Sequence, residues 1–312
     1  MSLVLGLDSG GTKTILAFAD RSGQIVSLHR ASGLDPSVDM NWAQTLQKML
    51  NQDALALKRV DAAVLGLPFH DEVAEYTAAQ KATAQAFIPG KSLVQNDVRV
   101  AFDGALAGRP GVLILAGTGS MAWASRNGPD DPHVRVGGWG DAFGDEGSAF
   151  WIGQKALAAV SCNLDGRAPA LTLSHGILSA LGLQDGDLMG WCYGLKNRRT
   201  GFAGLAVAVS ALADAGCSEA VAILHCAADH LAAHIMAAWR QTSPQSPLCW
   251  SYAGGVFSSQ IVLRRVAEKL LHAPVPPRLP PVGGAILRAA RCAGWVIDEA
   301  WLDRLAASLA EH

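Results

Sequence analysis

The chain contains one local pattern twice: an apolar strand, a tight turn of glycine and threonine, and a second strand. In the first copy the predicted strand is Leu3 to Leu7 and the turn is Asp8 to Thr12 (DSGGT). In the second copy, about a hundred residues later, the strand is Val112 to Ala116 and the turn is Gly117 to Ser120 (GTGS). A glycine hairpin repeated in this way indicates an internal duplication, and therefore two similar α/β domains.

The length of 312 residues agrees with two domains. We predict a first lobe over residues 1–115 and a second over residues 116–293, because the segment Gly108-Arg109-Pro110-Gly111 interrupts the pattern. A C-terminal helix over about 294–312 is expected to pack back on the first lobe. Helices are predicted to dominate the second lobe, at about 203–215, 218–240, 258–271 and 284–292.

Composition excludes several classes of protein. Half of the residues are hydrophobic, 17% are charged and the net charge is −2, which disfavours disorder and a dedicated nucleic-acid or membrane-surface binder. The N-terminus lacks a basic signal region, and the longest charge-free run, Gln241 to Leu263, contains prolines and adjacent glycines, so we predict a cytoplasmic protein without a membrane span. The six cysteines form no CxxC pair and are expected to be free thiols, although spacing leaves open a cluster shared between subunits.

The first glycine turn has the composition of a phosphate-binding hairpin. Gly10 and Gly11 would let backbone amides approach a phosphate, and Thr12 and Thr14 would offer hydroxyl donors beside Lys13. Asp8 could hold a hydrated Mg²⁺ near that phosphate. A P-loop is excluded, because Thr12 precedes the lysine and a strand follows. The alternative is an ordinary hairpin with a polar turn.

The second turn predicts the same chemistry. Gly117, Thr118 and Gly119 match a dinucleotide fingerprint only superficially, because Asn127-Gly128 stops the chain before a crossover helix could form. Two such hairpins facing each other across a cleft would hold one triphosphate from both sides, an arrangement that suits phosphoryl transfer.

Phosphoryl transfer to a hydroxyl also needs a base, and Asp97 is the candidate. It follows a short strand, Lys91 to Gln95, and precedes a predicted helix, which is where open α/β sheets carry functional side chains. Spacing favours equally the alternative that Asp97 is only a helix N-cap.

The stretch from Gly137 to Gly153 (GGWGDAFGDEGSAFWIG) predicts a site for a hydroxylated ligand. It is too rich in glycine for a core element and too rich in tryptophan for a linker. Carboxylates accept hydrogen bonds from hydroxyls, and an indole packs on the apolar face of a sugar. Glu146 and Ser148 are expected to organise the start of the following helix, and Trp151 is expected in the core.

Two further features carry weaker signals. The turn in YAGGVFSS could place Gly254 against a planar base with Ser258 capping the next helix, although a connection without a ligand is the favoured interpretation. His230 and His234 lie one helical turn apart but lack a third ligand, so we interpret them as structural.

Taken in order, LDSGGTKT, ILAGTGS, GGWGDAFGDEGSAFWIG, YAGGVF and PVGGA resemble the N-acetylglucosamine kinase branch of the BadF/BadG-type ATPase family. The resemblance covers nearly the whole chain. It implies a two-domain actin-like ATPase (ribonuclease H-like) α/β fold with an interdomain cleft, ATP and Mg²⁺ as cofactors, an amino sugar as substrate and a homodimer.

The resemblance also implies roles for individual residues. Asp97 would accept the proton of the sugar 6-hydroxyl, and Asp35 stands where the family often has a sugar-binding Asn. The other implied sugar contacts are Ser120, Gly138, Trp139, Gly140 and Asp145. The implied ATP contacts are Gly10, Gly11, Thr12, Lys13, Gly117, Thr118, Gly119, Ala203, Gly254 and Ser258.

Three functions remain in competition. The first is a kinase that makes a hexosamine 6-phosphate, with N-acetylglucosamine the expected substrate and glucosamine the alternative. The second is an ATPase that drives a conformational change in a partner protein. The third is a sugar sensor without catalysis. Such a sensor usually needs an added DNA-binding region, and we expect none here because the chain begins at the first hairpin.

Overall fold

The computed structural model describes residues 2–10, 13–126, 132–242 and 246–312. These residues divide into two compact units: residues 2–110 with 276–312, and residues 111–275 without the gaps. Each unit has its own sheet and its own apolar core.

The first unit contains a five-stranded sheet in the order β3-β2-β1-β4-β5. Strands β1 and β2 are antiparallel, as are β2 and β3, whereas β1, β4 and β5 run parallel. The elements of this unit are β1 (Leu3–Ser9), β2 (Lys13–Asp20), β3 (Ile25–Ser32), α1 (Trp42–Asn51), α2 (Ala54–Leu57), β4 (Val60–Leu67), α3 (Ala74–Phe87), β5 (Lys91–Asn96), α4 (Asp97–Leu106), α11 (Pro281–Cys292) and α12 (Glu299–Ala310).

Helix α11 packs directly on the first sheet, and small residues make this possible. A Cβ on Gly6 of β1 would lie 2.6 Å from Ile286, and a Cβ on Gly284 would lie 2.0 Å from the carbonyl oxygen of Val100 in α4. Glycine at both positions therefore permits the close approach of helix to strand and of helix to helix.

This packing explains why the units differ from the predicted lobes. The prediction assigned residues 281–293 to the second lobe and placed the first boundary at residue 115. In the structure the boundaries between the units lie after residue 110 and after residue 275. The second boundary comes this early because α11 and α12 complete the core of the first unit. A helix whose partner strand lies nearly three hundred residues earlier leaves no local signal of that pairing in the sequence.

The second unit repeats the arrangement on a smaller scale. Its sheet has the order β8-β7-β6-β9, with β6 antiparallel to β7, β7 antiparallel to β8, and β9 parallel to β6. Its elements are β6 (Gly111–Ala116), β7 (Ser120–Ser125), β8 (Val134–Gly137), α5 (Ala149–Leu164), α6 (Leu171–Leu181), α7 (Leu188–Gly194), α8 (Arg198–Asp214), α9 (Ser218–Gln241), β9 (Trp250–Ala253) and α10 (Gln260–Leu270). Both units thus contain an antiparallel three-stranded meander, which two parallel strands extend in the first unit and one in the second, as the predicted duplication would lead one to expect.

Helix α9 is the longest helix in the described part of the chain. By length and composition alone it could cross a membrane. In the structure one face, which includes Leu224, Leu231 and Ile235, lies in the core of the second unit. The helix thus has the one-sided burial of an amphipathic core helix.

Candidate functional site

In the first unit, Asp8 and Asp97 lie at the same edge of the sheet. Asp8 is near the carboxyl end of β1 and pairs in register with Gly66 of β4, while Asp97 directly follows β5. Because β1, β4 and β5 are parallel, their carboxyl ends meet at one edge, which is the usual location of a site in an open α/β sheet.

Both carboxyl groups hold their protons unusually strongly. Burial, followed by repulsion from Asp97, raises the pKa of Asp8 from 3.8 to about 7 against an opposing effect of Lys13. Burial is also the main cause that raises the pKa of Asp97 to about 6, and the charges of Glu72 and Asp35 add to it. A carboxyl with a pKa near 6 can accept a proton at neutral pH and release it again.

Asn96 is the N-cap residue of α4. The Val98 N–H donates to the Asn96 side chain at 3.0 Å, and also to Asp97 Oδ1 at 2.9 Å. Asn96 itself donates to Glu72 at 3.0 Å. Asp97 is therefore the first residue of the helix, and the N-cap alternative left open by its spacing is wrong.

The described part of the first hairpin is anchored through Ser9. The Ser9 hydroxyl lies 2.9 Å from that of Thr14 and accepts from the Leu34 N–H at 2.8 Å, which fixes Asp35 close to the end of β1. Thr14 is fully buried and donates to the Ser32 carbonyl at 2.7 Å, so the prediction that it offers its hydroxyl to a phosphate is wrong.

Of the remaining predicted ATP contacts of this hairpin, two lie among the described residues. The Gly10 N–H donates to the Lys13 carbonyl at 3.1 Å, and the Lys13 side chain is exposed. Gly11 and Thr12 lie outside the described residues.

In the second unit, the hairpin between β6 and β7 is held from one side by helix α5. The Ala149 N–H donates to the Gly117 carbonyl at 2.8 Å, and the Phe150 N–H donates to that of Thr118 at 3.4 Å. The N–H groups of Thr118 and Gly119 find no hydrogen-bond partner among the described residues. Successive amides of a turn that lack a partner can together receive an anion.

The start of α5 agrees with prediction. Ser148 is its N-cap and accepts from the Trp151 N–H at 3.1 Å, and Trp151 lies in the core. Of the two histidines interpreted as structural, His230 packs edge-on against Trp151, with ring centroids 5.2 Å apart.

Gly254 lies directly beside the second hairpin. Its φ is +99°, and a Cβ there would lie 2.3 Å from the Ala116 carbonyl oxygen and 2.9 Å from the Gly117 nitrogen. Ala203 is on α8, and Ser258 is exposed in a short 3₁₀ turn, Gly255–Ser258. The prediction that Ser258 caps the next helix is wrong, because Ser259 is the N-cap residue of α10.

Three of the predicted sugar contacts are joined by hydrogen bonds. The Ser120 N–H donates to Asp145 Oδ1 at 3.2 Å, its hydroxyl donates to the Glu146 carbonyl at 2.7 Å, and its own carbonyl accepts from the Gly138 N–H at 2.9 Å. Gly138 and Gly140 both have positive φ, and the Trp139 side chain between them is 70% exposed. The loop therefore has a rigid base and an exposed indole.

Sequence interpretation missed Arg199, which the structure brings to this loop. Its guanidinium lies 2.6 Å from Asp145 Oδ2, and Asp145 is only 2% exposed. Asp145 adopts a left-handed backbone with φ +58°, so the pair fixes a residue that is itself strained. Arg199 is 54 residues from its partner, which no local pattern could have indicated.

A search of known proteins agrees with the geometry. The duplicated meander with a glycine hairpin at the end of each leading strand defines the actin-like ATPase class of α/β fold. Within that class the chain belongs to the BadF/BadG/BcrA/BcrD ATPase family, whose model matches residues 5–289.

Three relatives illustrate the membership. An N-acetylmuramic acid/N-acetylglucosamine kinase of Clostridium acetobutylicum is 27% identical over 62% of this chain and 65% of its own, and an N-acetyl-D-glucosamine kinase of Dictyostelium discoideum is 27% identical over 63% and 66%. This chain thus spans slightly under two thirds of the length of these curated relatives. A Chromobacterium violaceum crystal structure with the provisional name N-acetylglucosamine kinase has a TM-score of 0.74 and 25% identity, over 92% of this chain and 98% of its own.

Proposed function

We propose that this protein is an ATP-dependent kinase that phosphorylates the 6-hydroxyl of an amino sugar, with N-acetylglucosamine as the first candidate. The observation that carries the proposal is Asp97. It stands at the carboxyl edge of the sheet with a pKa of about 6, and Asn96 takes the N-cap position. A carboxylate in this state suits a general base for a hydroxyl nucleophile.

The first unit would supply the base and the metal. Asp97 would accept the proton of the sugar 6-hydroxyl while the hydroxyl oxygen attacks the γ-phosphorus, the bond to the bridging oxygen breaks and ADP leaves. Asp35 would contact the sugar. Asp8 fits a Mg²⁺ held through water, because a buried carboxyl with a raised pKa beside a second carboxyl gains from a nearby cation. When bound, Mg²⁺ would neutralise charge on the phosphates.

The second unit would supply most of the contacts to ATP and sugar. The amides of Thr118 and Gly119, which lack a partner in the described part of the chain, suit phosphate oxygens, and Gly254 and Ala203 would lie along the nucleotide. The Ser120 hydroxyl donates to the Glu146 carbonyl, which orders the loop, and its lone pairs could still accept a hydrogen bond from a sugar hydroxyl. The exposed Trp139 indole is the surface on which the sugar ring would pack.

A panel of sugars in a coupled ADP-release assay tests the function, with NMR of the product to locate the phosphate. We expect N-acetylglucosamine to stimulate ADP release strongly and to give the 6-phosphate. Preference for glucosamine would change the substrate within the same reaction. ADP release that no hexose or hexosamine stimulates would refute the kinase.

That last outcome would favour the second candidate, an ATPase that drives a partner protein, which the family's name makes the natural alternative. Such an ATPase should hydrolyse ATP at a rate that does not depend on added sugar.

A cytoplasmic homodimer, with neither nucleic acid nor membrane as a partner, remains our prediction for the cellular form. Light scattering of the purified protein tests the dimer. Co-sedimentation with anionic vesicles and a DNA mobility-shift assay test the other two points.

A further inference from the structure

Arg199 combines a buried anionic partner with unused hydrogen-bonding capacity. It is the second residue of α8, and its Nη2 contacts Asp145 at 2.6 Å, while Nε lies 3.8 Å from Asp141 Oδ1. Nε itself is buried without a hydrogen-bond partner among the described residues. A guanidinium has five N–H donors; Nε is buried and one Nη2 donor is used for Asp145, so the other Nη donors are the ones available to a further anion.

The guanidinium lies against the second hairpin. A Cβ built on Gly119 would be 2.7 Å from Arg199 Nη2 and 2.8 Å from Asp145 Oδ1, so both groups contact the backbone of this turn. Gly119 and Thr118 are the residues whose N–H groups lack a partner in the described structure. A cation and two free amides thus occupy the same few ångströms.

Two helix N-termini add to this environment. Helix α5 begins at the carbonyls of the hairpin, and α8 brings Arg199 from its own first turn; neither helix has an acidic residue in its first turn. The first amides of α5 already donate to the hairpin carbonyls and to Ser148, so the helix contributes to the hairpin only the positive potential of its dipole, which favours an anion.

We propose that Arg199 binds a phosphate oxygen of the nucleotide at the hairpin Gly117–Gly119, and that Asp145 positions the guanidinium for this contact. The proposal deepens the proposed function and rests on its ATP site alone, independently of the sugar. Arg199 thereby becomes a direct ligand of the cofactor, and Asp145 a positioning residue on the phosphate side as well as a candidate sugar contact.

Calorimetric titration without sugar compares ATP with adenosine, which shares the base and ribose but has no phosphate. We expect Arg199→Met to weaken ATP binding about 10- to 100-fold, to leave adenosine binding unchanged, and to reduce the salt dependence of ATP binding. Arg199→Lys should recover part of the loss. Unchanged ATP binding, or equal weakening of ATP and adenosine, would overturn the proposal.

Arg198→Met is the matched control, because this neighbouring cation lies over the ring of Tyr193, 4.6 Å from its centroid. We expect it to leave ATP binding unchanged. A loss as large as that of Arg199→Met would mean that general surface charge is responsible, and would contradict a specific contact.

Removal of Arg199 also leaves Asp145 buried without its partner, so we include Asp145→Asn alone and with Arg199→Met. If Arg199 contacts phosphate, the double variant should still bind ATP less well than Asp145→Asn does. If the two bind ATP equally, Arg199 acts only through Asp145 and the proposal fails. A wild type that binds ATP through Arg199 but phosphorylates no sugar would refute the kinase and retain this inference, whereas a wild type that binds no ATP would overturn both.

Discussion

The edge of β1 and the edge of β6 hold equivalent places in two similar sheets, yet their polar groups are prepared for opposite partners. Beside β1, Asp8 and Asp97 keep raised pKa values because burial and neighbouring carboxylates oppose their ionisation. Beside β6, Asp145 is paired with Arg199, and the N–H groups of Thr118 and Gly119 have no partner among the residues that the structure describes. The same meander thus carries two carboxyl groups with raised pKa values at one edge, which suits protons and cations, and an arginine beside backbone amides at the other, where we have proposed an anion.

Neutralising the base in the first unit should have the strongest effect on catalysis. We expect Asp97→Asn to lower kcat with the preferred sugar by ~10³-fold while ATP binding is kept, because only proton transfer is lost. Rapid-quench kinetics and ATP titration measure the two quantities. Glu75→Gln, an exposed carboxylate on α3, is the control and should keep full activity. Near-normal turnover in Asp97→Asn would remove this residue from the mechanism.

A second test acts on the backbone of the anion-binding side. Gly254→Ala places a Cβ 2.3 Å from the Ala116 carbonyl oxygen at φ +99°, so we expect about 2–4 kcal/mol of destabilisation and weaker ATP binding. Gly255→Ala is the matched control, because a Cβ there meets nothing within 4 Å. Thermal unfolding distinguishes the two variants, and equal melting temperatures would show that the close approach at Gly254 carries no cost.

A third test follows the pH dependence of stability. Between about pH 4 and pH 7 the folded protein binds more protons at Asp8 and Asp97 than the unfolded chain does, because both folded pKa values lie above 3.8. The free energy of unfolding should therefore fall as the pH rises through this window. Asp8→Asn should reduce the total fall across this window by about 4 kcal/mol, because a pKa difference of about three units corresponds to that free energy. Urea unfolding at several pH values, with EDTA and without nucleotide, measures it; an unchanged slope would contradict the burial of Asp8.

The smallest expected effect concerns substrate choice at Asp35. A negative charge near Asp97 favours a sugar with a free, positively charged amine over its neutral acetylated form. We expect Asp35→Asn to raise the kcat/KM ratio of N-acetylglucosamine to glucosamine about fivefold, a free-energy change of about 1 kcal/mol. The control is Ser37→Ala, which removes a hydrogen bond to Asp35 at 2.6 Å but leaves the charge. A ratio that does not change would exclude Asp35 from recognition of the amino group.

Local sequence patterns were enough to predict the elements that position the candidate site. The hairpins, Asp97 after β5 and the helix start at Ser148 all follow from strand-length apolar runs, turn residues and capping chemistry. Strands β3 and β8 were not predicted. β8 is short, β3 is partly exposed, and neither contains a continuous apolar run. The Arg199–Asp145 pair and the close approach at Gly254 escaped because each joins residues far apart in the sequence.

The docking of α11 against Gly6 and α4 determines the order in which the protein can assemble on the ribosome. The second unit ends at residue 275 and can close as soon as that residue has emerged. The first sheet, although translated first, must wait for α11 and α12 before its second face is covered. A released chain truncated after residue 275 should therefore protect residues 111–275 from protease and leave residues 2–110 open to cleavage.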